Sequence, residues 1–162
     1  MAPVHPDILA ALTSGIQSEV ATYVFYLEAS KKVNDGKLEE TLKTLAAEEK
    51  THFQILEGQF DSLVRSEKWI STADILKQKG LPEIGEEMTF EHKGLIEQVR
   101  KTKSKKEILN MAYRLEVQSR DLFKKSAEQS ASGEGKEIFE QLSYLEEGHM
   151  KIIKGMLAGL KK

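Results

Sequence analysis

The two halves of this sequence repeat each other, and the repeat carries charge where a core should be. Sliding the chain over itself by 97 positions, without a gap, sets Leu12 on Leu109, Glu19 on Glu116, Val20 on Val117, Leu45 on Leu142, Glu49 on Glu146, His52 on His149, Ile55 on Ile152 and Gly58 on Gly155. Surface positions have diverged, so the coincidences are selective. Shared Leu and Ile are what two segments filling one core require. The shared Glu, Glu and His need another reason.

Breakers place the repeats on helices. Pro6 starts a first helix over about Asp7 to Val33, and Asn34-Asp35-Gly36 turns the chain into a second, about Lys37 to Ser66. A third begins near Ser104, where Ser104 and Glu107 have capping-box spacing, and runs to about Ser130. The turn Ser132-Gly133-Glu134-Gly135 leads to a fourth, ending near Gly159. Short turns make each pair an antiparallel hairpin. Residues 67–103 differ in texture, with breaks at Gly80-Leu81-Pro82 and Gly85, and read as a long crossover with short helices over Thr72 to Gln78 and Thr89 to Arg100. One domain over residues 1–162 is expected, with hairpins at 7–66 and 104–160 and the second and third helices parallel.

Composition narrows the chemistry. Three prolines and eleven glycines among 162 residues leave helix as the favoured conformation nearly everywhere, so the fold class is all-α. The 24 Lys and Arg against 26 Asp and Glu give a net charge of -2, which argues against nucleic acid. No run approaches the roughly 18 apolar residues of a membrane span, and the start MAPVHPDILAAL lacks signal-peptide character, so a cytoplasmic protein is expected. Cysteine is absent, which excludes thiolate metal sites, disulfides and cysteine nucleophiles. Any metal would be held by nitrogen and oxygen.

Spacing turns the repeated polar residues inward. Leu45, Glu49, His52 and Leu56 are spaced 4, 3 and 4, as are Leu142, Glu146, His149 and Ile153, so both Glu-x-x-His pairs lie on the apolar stripe of their helices. Glu19 shares a stripe with Leu12, Ile16, Tyr23 and Tyr26, and Glu116 with Leu109, Tyr113 and Phe123. Each set sits near mid-helix, so six polar side chains reach one level. Four buried carboxylates without cations would each cost several kcal/mol. Two divalent ions would neutralise them, and mixed carboxylate and imidazole ligation suits iron or manganese, with zinc an alternative occupant.

At these residues the chain resembles the ferritin-like superfamily of diiron-carboxylate proteins, and within it the rubrerythrin-type proteins. SEVATYVFYLEASKK resembles their first-helix motif, LAAEEKTHFQIL and YLEEGHMKII their two Glu-x-x-His helices, and YRLEVQSRDLFKKSAE their third helix. The resemblance implies a ferritin-like four-helix bundle in which Glu49 and Glu146 bridge two irons, His52 and His149 cap one each, and Glu19 and Glu116 are terminal ligands. It also implies reduction of hydrogen peroxide or dioxygen at a diiron centre re-reduced by an external electron-donor protein. Two departures stand out. Without cysteine the four-cysteine rubredoxin site cannot be built, and Ser119 occupies the position where rubrerythrins carry an additional Glu.

The leading expectation is a homodimeric non-haem diiron oxidoreductase. The alternatives are iron oxidation and storage in a larger ferritin-like assembly, and a non-catalytic helical scaffold stabilised by metal. His5 and His92 lie outside the repeat and read as surface or loop residues. The spacing of Tyr23, Tyr26 and Tyr113 fits core packing, and also hydrogen bonds to ligating carboxylates. The basic run Arg100, Lys101, Lys103, Lys105 and Lys106 reads as a solvated helix junction, with docking of an acidic redox partner the alternative.

Overall fold

A computed structural model describes residues 6–160 and is all helix and connection over that span. The helices are α1 (Pro6–Lys32), α2 (Gly36–Ser66), α3 (Thr72–Leu76), α4 (Glu86–Phe90), α5 (Lys93–Arg100), α6 (Lys105–Gln129) and α7 (Gly133–Gly159). His5 lies outside the described residues. The long helices α1, α2, α6 and α7 form a ferritin-like bundle, and residues 67–104 connect its two hairpins.

Local chemistry sets where the long helices start. The Asp35 side chain accepts hydrogen bonds from the Lys37 and Leu38 N–H groups and so caps α2. Ser104 caps α6 by accepting from the Glu107 N–H at 3.2 Å, while Glu107 reaches back to the Lys103 N–H at 3.2 Å, one residue before the position a standard capping box uses. Ser132 caps α7. Here the sequence expectation is corrected: Gly133 and Gly135 belong to the first turn of α7, not to a loop. A Cβ on Gly135 would stand 2.6 Å from both the Ser130 hydroxyl and the Trp69 ring. The glycine therefore makes room for the crossover.

Packing is closest within each hairpin and between α1 and α6. Leu12 shares a cluster with Phe123 and Ala127, Ser18 meets Ser119, and Val33 packs with Ile108. Contacts that run in opposite directions along the two helices make α1 and α6 antiparallel. It follows that α2 and α6 are parallel, as a long crossover demands.

The crossover differs from expectation in one place. Instead of one helix from Thr89 to Arg100 there are two, α4 and α5, separated at Glu91 and His92. The His92 N–H turns back three residues to the Thr89 carbonyl, and the i to i−4 ladder restarts from the His92 carbonyl. The break lets Met88 and Ile96 both rest on the cluster of Val20, Val24 and Phe53. Arg100 pairs with Glu28 at 2.6 Å and Lys105 with Asp35 at 2.9 Å, so the basic junction is exposed but tethered to α1 and to the cap of α2.

The core has two apolar ends and a polar waist. At one end Phe25, Ala29, Leu42, Leu45, Leu109 and Ile153 pack together; at the other Leu12, Leu56, Leu63, Phe123, Phe139 and Leu142 do. Burying each such large side chain contributes about 1.5–3 kcal/mol. These clusters hold the four helices at fixed spacing on either side of a level that is not apolar.

Candidate metal centre

The level between the clusters is occupied by the six repeated polar residues. Glu19 comes from α1, Glu49 and His52 from α2, Glu116 from α6, and Glu146 and His149 from α7. The four carboxylates have no exposed surface and each histidine is 4 % exposed. Three residues along a helix turn the side chain through most of a circle, so each Glu-x-x-His pair projects from one face into the same space. The structure brings all six together in two overlapping groups, Glu19, Glu49, His52 and Glu146, and Glu49, Glu116, Glu146 and His149, each with ligand atoms within 4.8 Å of one another.

Both imidazoles turn Nδ1 inward. Nδ1 of His149 lies 2.7 Å from Oε1 of Glu49 and 3.3 Å from Oε1 of Glu116. Nδ1 of His52 lies 2.8 Å from Oε1 of Glu146, 3.4 Å from Oε2 of Glu19 and 3.6 Å from Oε2 of Glu49. The rings are nearly parallel, their centroids 5.7 Å apart.

Seven buried polar atoms at this level have no hydrogen-bond partner: both oxygens of Glu19 and of Glu146, Oε2 of Glu49, Oε2 of Glu116 and Nδ1 of His52. Nδ1 of His52 and Oε1 of Glu146 are close yet out of hydrogen-bond geometry, because they aim at a common space and not at each other. Leaving so many buried polar atoms unmet would each cost about 1–3 kcal/mol. Convergent oxygen and nitrogen lone pairs are what a cation needs, so the donor set fits a metal site.

Charge at the site is divided unevenly. Burial, reinforced by the neighbouring Glu49 and Glu146, pushes the Glu19 carboxyl well above the usual carboxylate range. Burial and Glu49 do the same to Glu116. For Glu49 burial also opposes ionisation, but the contacts of Glu19, His149 and His52 outweigh it and hold the group well below its ordinary value. Burial would discharge the histidines; instead the surrounding carboxylates, Glu19 foremost for His52 and Glu49 for His149, raise both. Protons thus stand in for positive charge, and a metal would displace them.

Two further side chains, one of them unforeseen from sequence, reach the six. The Tyr26 hydroxyl donates to Oε1 of Glu116 at 2.6 Å, so among the three tyrosines weighed this one combines packing with a carboxylate contact. Tyr23 and Tyr113 are half-buried against the apolar clusters. Sequence reasoning missed Glu48, whose Oε2 lies 2.8 Å from Nε2 of His149. The available signal was its position directly before Glu49, one step off the inward stripe. Ser119 meets the Ser18 hydroxyl at 2.7 Å and contributes no carboxylate. His92 stays away from the site, lining a separate cavity of about 280 Å³ with Glu57, Glu91 and Met88.

A groove of about 600 Å³ between α2 and α7 opens onto the edges of His52 and His149. Its walls include Ile55, Leu76, Leu145 and Ile152, and Glu48 stands beside them. No described helix is long and apolar enough to cross a membrane.

The Rubrerythrin family model matches residues 107–162, a stretch that covers nearly all of α6 and the whole of α7 and contains Glu116, Glu146 and His149. No curated protein and no solved structure matched. The match lies over the second hairpin of the bundle.

Proposed function

We propose that this chain is a non-haem diiron-carboxylate oxidoreductase, reducing hydrogen peroxide or dioxygen with electrons from an external donor protein, and acting as a single-domain homodimer. The observation that carries the reading is the convergence of seven unpartnered buried polar atoms from four carboxylates and an imidazole. A reduced iron pair bound there would supply two electrons for cleavage of an O–O bond, which for peroxide consumes two protons and yields two waters. Manganese is the alternative occupant that the same ligands suit.

The residues have separate tasks in this reading. Glu49 and Glu146 belong to both ligand groups and would be shared between the ions, whereas Glu19 with His52 and Glu116 with His149 would each hold one. Six buried donors at a polar waist hold the geometry, and the apolar clusters on either side exclude bulk water. The groove beside His52 and His149 offers a small oxidant a route inward. This chain has no cysteine to carry electrons, so the donor must dock from outside the bundle.

The test is stopped-flow oxidation of the anaerobically loaded ferrous protein by hydrogen peroxide, followed by re-reduction with a supplied reductant. Oxidation faster than that of free ferrous iron, through repeated cycles, is the expected result. Two bound irons that oxidise no faster than free iron would refute the activity. Mass by light scattering tests the dimer, since a storage shell would be many times larger.

A further inference from the structure

The six ligands obey the internal repeat, but the residues behind them do not. Tyr26, which donates to Glu116, corresponds at the 97-residue offset to Phe123, which has no hydroxyl to offer Glu19. Glu48, which holds Nε2 of His149, corresponds to Leu145. Among the described residues no acceptor meets Nε2 of His52. Both differences favour the same half of the site.

Their effects on the ligands are visible. Oε1 of Glu116 is held by Tyr26 and lies 3.3 Å from Nδ1 of His149, which fixes the carboxylate beside that ligand and leaves Oε2 as its one unpartnered oxygen. Both oxygens of Glu19 are unpartnered, and its neighbours at the site are the ligands His52 and Glu49 themselves, with no hydroxyl behind it. Glu48 accepts the Nε2 proton of His149, which assigns the Nδ1 lone pair to a metal and makes the ring a stronger donor. The His52 ring has no such anchor.

Resting on the diiron reading above, the geometry points to two unequal metal positions: the Glu116 and His149 position fills first and holds its ion, while the Glu19 and His52 position is the exchangeable one. Glu48 and Tyr26 are positioning residues, acting through His149 and Glu116. Partners of this kind are worth about 10–100-fold in metal affinity, so the two dissociation constants should differ by about that ratio. The labile position is the one whose histidine lacks a carboxylate anchor. Ion exchange and loss should therefore begin at His52.

Zinc titration of the metal-free protein, followed by imidazole 15N chemical shifts, reads the order directly, because only four histidines need assignment. The Nδ1 signal of His149 should move during the first equivalent and that of His52 during the second. Glu48→Gln should bring the two constants together by weakening the first. Leu145→Glu, at a partly exposed position that tolerates a carboxylate, should bring them together by tightening the second about tenfold or more. Parallel movement of both signals from the first addition, filling at His52 first, or a ratio unchanged in Leu145→Glu would overturn the inference. Failure to bind zinc at all would instead defeat the metal-site reading. Ordered binding without peroxide-driven iron oxidation would defeat the oxidoreductase and leave the order of filling standing.

Discussion

Sharing of Glu49 between the two ligand groups makes a quantitative prediction about metal-linked stability. Ligand that binds only the folded state at about a hundredfold excess over Kd stabilises it by about 2.7 kcal/mol per site. For a chain of 162 residues, 1 kcal/mol moves Tm by about 2–4 °C, so each ion should raise Tm by about 5–11 °C and the pair by about 10–20 °C. The structure sorts the variants. Glu19→Ala removes a ligand of the weaker group only and should keep more than half of the increment, while Glu49→Ala removes a ligand of both and should abolish nearly all of it. His149→Ala removes a ligand of the tighter group and should keep less of the increment than Glu19→Ala, and His92→Ala should keep the full shift because His92 lies in a different cavity. Differential scanning fluorimetry with and without manganese measures each increment within a single variant, so the effect of the substitution on the metal-free protein cancels. A wild-type increment retained by Glu49→Ala, or lost equally in His92→Ala, would refute the argument.

The charge distribution predicts how the metal-free protein responds to pH. Glu19, Glu116, His52 and His149 all bind protons more tightly folded than unfolded, so their contribution is full below the unfolded values and is lost as pH rises through the raised ones. Chelator-treated protein should thus melt at a lower temperature at about pH 9 than at about pH 5, with metal-loaded protein showing the opposite trend; metal-free stability that climbs over this range would contradict it. Away from the site, buried Gln59 donates to the Ile70 carbonyl at 2.6 Å and accepts from the Ile70 N–H at 3.1 Å, pinning the crossover to α2. Gln59→Ala should cost about 1–3 kcal/mol for each unmet group in urea denaturation, and a loss under 0.5 kcal/mol would show that water replaces the side chain freely.

The helices that carry ligands were readable because their signals are local and doubled. Glu49 and His52 sit three apart on a stripe that Leu45 and Leu56 continue, and the same stripe recurs around Glu146 and His149. What the sequence concealed depends on contacts between distant elements. Gly135 looks like a turn residue but is glycine because Trp69, from the other side of the crossover, leaves no room for a Cβ. Thr89 to Arg100 reads as one helix, yet the chain breaks at Glu91 and His92, with Met88 before the break and Ile96 after it both packed against Val20 and Phe53. Glu48 is half-exposed and off the periodic stripe, so only the partner hairpin's His149 reveals its use.

Halving the ligand set between hairpins means that neither stretch holds a metal pair alone, yet each contributes one of every kind: a lone carboxylate, a second carboxylate and an imidazole. Either stretch would need only a rotated twin of itself to complete the cage. Joining the twins through residues 67–104 frees them to diverge, which two identical chains cannot do. Tyr26 without a matching hydroxyl and Glu48 without a matching acid are the departures from symmetry that a fused chain permits.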